Sequence, residues 1–167
     1  LNKIAHLSYF CDISAVLAQE NASEPKLYGL LSSTLKLMGE LNTELHSAFH
    51  VGFACKALAF SGHLPRLSRC GGCNKTISDQ TTLLFSPSDG SVWHRTCLTT
   101  KAIDKCYAVD VEWLRGVSRC IGQPLANALD ERLPNGPNWV FSEMIENVVQ
   151  RRLKSKVFLQ QLMANTC

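Results

Sequence analysis

Two short pairs of metal-ligand residues, Cys70 with Cys73 and His94 with Cys97, lie in a C-x2-C-x20-H-x2-C pattern and constrain this chain more than any other feature. Each pair fits one tight turn. A tetrahedral zinc ion held by both would clip the turns together and close the loop between them. Arg69-Cys70-Gly71-Gly72-Cys73-Asn74 supplies a turn whose glycines tolerate positive φ. Thr82-Leu83-Leu84-Phe85 reads as a short strand, Ser86-Pro87-Ser88-Asp89-Gly90 as a turn and Ser91-Val92-Trp93 as the returning strand. Such a hairpin carries His94 and Cys97 back beside the first pair. Three thiolates and one imidazole leave no coordination position for water, so the expected zinc is structural, not catalytic. The competing reading is four thiols and imidazoles buried at these intervals without a metal.

The 167 residues suffice for one domain with a real core, with or without a small insert. An apolar fraction of 46% is that of a soluble globular protein. No apolar run approaches the roughly 18 residues that span a bilayer. Leu1-Asn2-Lys3-Ile4 opens directly into a helical pattern and not a secretory signal, and the missing methionine is expected of a processed chain or a piece of a longer one. Cys11, Cys55, Cys106, Cys120 and Cys167 are scattered without pairing logic, which fits a reduced, cytoplasmic protein.

The net charge of +3 is unevenly spread. Residues 66–119 set eight basic side chains against five acidic ones, and Arg151, Arg152, Lys154 and Lys156 follow Glu146 with no acid among them. Phosphate contacts would exploit that asymmetry, and solvated helix faces would equally explain it.

Apolar periodicity predicts a helix over about 2–20, with Ile4, Leu7, Phe10 or Cys11, Ser14 and Leu17 on one stripe. A second helix starts near Pro25 and carries Leu27, Leu30, Leu31, Leu35, Met38 and Leu41. Asn42-Thr43 links it to a third, bearing Leu45, Phe49, Phe53, Ala57 and Phe60 and ending at Ser61-Gly62. Asp110 caps a helix over 111–121 with Trp113, Leu114 and Val117 inward; a helical piece follows over 125–133. Another helix carries Phe141, Met144, Ile145, Val148 and Arg152, and Ser155 caps a last one with Phe158, Leu159, Leu162 and Met163. The fold expected is mainly α: one helical domain over 1–167, a bundle with a small zinc-binding β-hairpin insertion at about 66–100.

No credible catalytic set emerges. His46 and His50 have metal-capable spacing, but Ser47 stands where a metalloprotease carries its general base, so exposed or hydrogen-bonded histidines are expected. The zinc-deaminase signature, phosphate-binding glycine loops and the nucleophile elbow are absent. A zinc hydrolase would need an open coordination site and a nearby base. Trp93, Trp113 and Trp139 could stack on bases, though core tryptophans are commoner.

Several stretches resemble, in order, the C-terminal region of the RecO family of bacterial recombination mediators. They are Tyr9-Phe10-Cys11-Asp12 with Glu24-Pro25-Lys26-Leu27-Tyr28-Gly29-Leu30-Leu31; Phe49-His50-Val51-Gly52-Phe53-Ala54 through Phe60-Ser61-Gly62-His63-Leu64-Pro65 to Cys70; Leu84-Phe85-Ser86-Pro87-Ser88-Asp89-Gly90; and Leu153-Lys154-Ser155-Lys156-Val157-Phe158-Leu159. Two departures stand out: zinc-binding members generally use four cysteines where this chain has His94, and the family's N-terminal oligonucleotide-binding (OB) barrel has no counterpart here.

The resemblance implies a non-catalytic role in DNA repair and homologous recombination, in the bacterial cytoplasm and associated with the nucleoid. Implied partners are single- and double-stranded DNA, the acidic tail of single-strand-binding protein, and RecR. A tail with carboxylates and an apolar end suits a groove with a basic rim and hydrophobic floor. Arg66, Arg69, Arg95, Lys101, Lys105, Arg151, Arg152, Lys154 and Lys156 are the candidate phosphate or acidic-tail contacts. The rival is a zinc-stabilised protein-interaction scaffold that never touches DNA.

Overall fold

The computed structural model describes residues 2–19, 23–41, 45–78, 82–98 and 105–164. The Asn42-Thr43 link and Lys101 fall outside them. Among the described residues are six α-helices: α1 (Asn2–Leu17), α2 (Pro25–Glu40), α3 (Ser47–Phe60), α4 (Val111–Gly122), α5 (Val140–Val149) and α6 (Lys154–Ala164). Four strands, β1 (Arg66–Cys70), β2 (Leu83–Ser86), β3 (Ser91–His94) and β4 (Tyr107–Val109), form one sheet in the order β1-β3-β2-β4.

Local chemistry sets the helix ends. Pro25 occupies the first turn of α2, where its missing N–H costs nothing. The Asp110 side chain accepts from the Trp113 backbone N–H at 2.7 Å and caps α4. Gln150 closes α5 in the left-handed region at φ 52°. Ser155 is not a cap: α6 begins at Lys154, and the Ser155 hydroxyl instead donates to Asp12 of α1 at 2.6 Å. The segment expected to be helical over 125–133 is a 3₁₀ turn at Leu125–Leu129.

Helix α3 is the centre. Residues Ala48 through Cys55 are buried without interruption, and α3 packs against α1, α2, α4, α5 and the Leu125–Leu129 turn. The inward face of α1 is Ala5, Tyr9, Phe10, Ile13 and Leu17, whereas Ile4 and Cys11 of the expected stripe face solvent. Apolar residues surround α1, so periodicity alone left its phase undetermined. Leu35, Phe60 and Phe158 are likewise exposed in place of buried.

The sheet shares this core. Leu67, Leu83, Phe85 and Val92 join the helical residues in one buried cluster, with Phe85 edge-on to Phe141 at 5.4 Å and Trp113 stacked parallel on the Phe141 ring at 5.8 Å. Antiparallel β2 and β3 are the expected hairpin, turned by Gly90 at φ +64°. The other two strands are a correction: β1 runs parallel to β3 with an irregular register, and β4 adds to the free side of β2.

Two pairs of buried polar side chains meet across helices. Tyr9 and Ser142 hydroxyls meet at 2.5 Å, and burial raises the Tyr9 phenol far above its ordinary value. His50, 3% exposed, has Nδ1 3.2 Å from the His46 carbonyl and Nε2 2.8 Å from His6 Nδ1. A carbonyl only accepts, so His50 carries its proton on Nδ1 and accepts from His6 on Nε2. Burial, then the neighbouring His6, lowers the His50 pKa from 6.5 to about 3.

The unfolded chain therefore takes up a proton at His50 below pH 6.5 that the fold refuses, and stability falls as pH drops from that value towards 3. The urea midpoint is expected to decline between pH 7 and about 5, where carboxylates are still ionised. His50→Gln should be less stable at pH 7 but show a flatter decline. Parallel pH curves for the two proteins would contradict the assignment.

Candidate metal centre

The four sequence-predicted ligands converge. Cys70 ends β1, Cys73 lies in the turn that follows, His94 ends β3, and Cys97 closes the 3₁₀ turn Arg95–Cys97. Their donor atoms all lie within 4.8 Å of one another. Among the described residues this is the one such group of histidine, cysteine and acidic side chains. His94 Nδ1 faces the sulfurs, 3.3 Å from Cys73 Sγ and 3.9 Å from Cys97 Sγ. A tetrahedral ion with bonds of about 2.3 Å to sulfur and 2.0 Å to nitrogen has donor–donor edges of roughly 3.5–3.8 Å. The donor set thus fits such an ion with small adjustments.

Backbone pairing brings the turns together. The Cys70 N–H donates to the Lys75 carbonyl at 2.9 Å, the Asn74 N–H to the Cys70 carbonyl at 2.9 Å, and the Gly71 N–H to Val92 of β3 at 2.8 Å. Asn74 takes the positive φ, 56°, that the sequence reading gave to the glycines. Gly71 and Gly72 serve space instead. A Cβ on Gly71 would sit 2.7 Å from the Trp93 indole, and one on Gly72 would sit 2.9 Å from the Cys97 Cβ.

Burial pushes the Cys70 thiol up, but hydrogen bonds from the backbone N–H groups of Cys73, His94 and Gly72 outweigh it and bring its pKa down to about 6. The His94 N–H reaches Cys70 Sγ at 3.3 Å. Cys97 is shifted the other way, by desolvation and then by the neighbouring thiols. A metal cation is the partner that would let several adjacent thiolates coexist. All four ligands come from the chain, and no acid or base stands among them in the group.

The described basic residues picked from sequence lie on β1, on the turn after β3, just before β4 and at or just before the start of α6. Arg66, Arg69 and Arg95 are exposed around the knuckle. Arg66 leans towards Asp89 at 3.6 Å, and Arg69 donates to the Asn74 carbonyl at 3.1 Å. Lys105 pairs with Glu143 at 3.0 Å, and Lys156 is largely buried against Glu146 at 2.5 Å. Arg151 reaches Asp12 at 3.9 Å, while Arg152 and Lys154 are exposed. Sequence reasoning missed a cleft of about 680 Å³ between α2, α3 and the 124–126 turn. Leu30, Leu37, Phe60 and Leu125 line it, with Lys26, Lys36 and Lys56 and one acid, Glu40, also on its walls. The recurrence of Lys26, Gly29, Ser33, Lys36 and Glu40 at helical spacing was its available signal.

The fold and site define a helix-rich domain with a small sheet that carries a closed cysteine–histidine knuckle. The family described as Recombination protein O C terminal matches residues 1–106, a span that includes all four knuckle residues. Similar proteins named DNA repair protein RecO come from Desulforamulus reducens (27% identical, 97% of this chain, 62% of the relative) and Symbiobacterium thermophilum (26%, 97% and 65%). Another, from Desulforudis audaxviator, is 33% identical over 58% of this chain and 37% of its own length. This chain belongs to the RecO C-terminal family. It spans less than two thirds of each of these relatives.

Elemental analysis of the purified chain is expected to find one tightly held metal ion. Cys70→Ser or Cys73→Ser should lose it and lower thermal stability markedly, because metal-binding energy is folding energy in such sites. Unchanged melting in the double variant, with metal retained, would refute the knuckle.

Proposed function

We propose that this chain is the zinc-stabilised helical module of a non-catalytic mediator of DNA repair and homologous recombination. The observation that carries the reading is a closed three-thiol, one-imidazole knuckle inside the family-matched segment. Zinc suits this donor set better than harder ions, which prefer oxygen, and four protein ligands serve architecture, with no slot kept for a substrate. The chain works as one unit, with the 66–100 insertion braced by the metal, beside an OB barrel of the kind the family carries. It acts in the cytoplasm with the nucleoid. No described helix is long and apolar enough to cross a membrane.

Single- and double-stranded DNA would meet the exposed arginines around the knuckle, Arg66, Arg69 and Arg95, and the exposed Arg152 and Lys154. The α2–α3 cleft has the chemistry for the acidic, apolar-ended tail of single-strand-binding protein: an aliphatic and aromatic floor beneath lysines. RecR would bind elsewhere on the module, and together these contacts promote strand annealing and recombinase loading. The scaffold reading, without DNA contact, draws on the engagement of Lys105 and Lys156 by carboxylates.

A labelled peptide matching that tail should bind with moderate affinity. Lys26→Glu combined with Lys36→Glu should weaken it by roughly tenfold while leaving the melting temperature unchanged, as for two partly screened charge contacts. Oligonucleotide binding should fall steeply with salt, since phosphate contacts release counterions. A flat salt dependence or no binding selects the scaffold; unaltered peptide affinity in the double variant removes the cleft as the tail site.

A further inference from the structure

We propose that Trp93 is a positioning residue for the metal knuckle, latched by Asp89 and Arg66, and that this latch sets how slowly the site releases its ion. The inference rests on the knuckle holding zinc.

Val92 and Trp93 are consecutive in β3 and so point to opposite faces of the sheet. Val92 enters the helical core; Trp93 is half-buried on the other side. Its packing partner there is the ligand turn. A Cβ on Gly71 would lie 2.7 Å from Trp93 Cε2, and one on Gly72 would lie 3.0 Å from Cζ3. The indole therefore lies across the backbone that joins Cys70 to Cys73, while its own chain continues directly into the ligand His94.

The ring is also tethered. Trp93 Nε1 donates to Asp89 Oδ2 at 3.0 Å, and that oxygen is 3.6 Å from Arg66 Nη2. Arg66 Nε in turn donates to Ser91 Oγ at 2.8 Å. These contacts tie together the start of β1, the 86–90 turn and the end of β3, the segments that deliver the ligands. For the first ligand turn to open, it must slide past a ring that is held at Nε1, an atom that itself borders Gly71. Groups outside the coordination shell that orient ligands in this way typically change metal affinity by about 10–100-fold.

The test is the rate at which the purified, zinc-loaded chain passes its metal to a chromogenic chelator. Trp93→Ala should release zinc at least about tenfold faster, in line with other outer-shell losses. Asp89→Asn should be several-fold faster, and Trp93→Phe, which keeps a ring over the turn, closer to wild type. Gly71→Ala should speed release in the wild-type background but add little to Trp93→Ala, because the atoms it strikes are then gone. Should Trp93→Ala fail to fold, Asp89→Asn at its exposed turn carries the same comparison. Release within about twofold of wild type in both variants, or Gly71 and Trp93 effects that simply multiply, overturns the latch alone. A wild-type chain without zinc overturns the latch and the knuckle together.

Discussion

Everything around the small sheet depends on holding two turns together that are twenty residues apart in sequence. The β1–β3 pairing is parallel, irregular and limited to two registered residue pairs. A ladder that short cannot by itself fix Cys70 and Cys73 beside His94 and Cys97, and parallel pairing is the weaker kind per residue. A metal ion on the thiol–imidazole cluster would supply what the ladder lacks. Without a cation, thiolates crowded this closely would repel one another; with one, the same crowding becomes a cross-link.

Such a cross-link would be effective because the sheet is mounted on the helical core. Leu83 and Phe85 of β2 and Val92 of β3 are fully buried against helices, and Phe85 meets Phe141 of α5. A Cβ on Gly90 would press on the Met144 side chain, so the hairpin turn sits close to α5 as well. One face of the hairpin therefore belongs to the core and the other to the knuckle.

The elements most legible in the sequence were those written in strong, one-sided patterns. Helix α4, with Asp110 at its start and Trp113, Leu114 and Val117 inward, and the β2–β3 hairpin around Gly90 both follow from residues that allow few alternatives. The ligand quartet was legible for the same reason: its spacing has one geometric consequence. The phase of α1 was not, because apolar residues on all sides fit several rotations equally, and tertiary packing against α3 and α6 chose among them. Strand β4 was hidden in a three-residue stretch, too short for alternation to register. The glycines of the knuckle were legible as necessary but for the wrong cause, since the indole of Trp93 that excludes a Cβ arrives from twenty residues away.

Charge shows the same division between what composition records and what folding does with it. The run Arg151, Arg152, Lys154 and Lys156 looks like one basic patch in sequence, yet Glu146 and Asp12 reach into it from α5 and α1. Glu146 accepts from the Leu153 backbone N–H at 2.8 Å while pairing with Lys156, so one carboxylate both caps the entry to α6 and neutralises its first turn. A lysine 15% exposed in such a pair is a clasp between helices, and its charge is spent on the fold and not on a ligand. The N-terminal third, by contrast, places Lys26 and Lys36 on the walls of one apolar cleft with Glu40, while Lys56, also on its wall, donates to the Ile121 carbonyl at 2.6 Å. Recognition of an anionic partner follows local potential over a Debye length of about 8–10 Å, not the sign of a segment's total. On that physical ground the proposed assignment of an acidic tail to the cleft rests on Lys26 and Lys36, whose charges no side chain of the C-terminal run supplies.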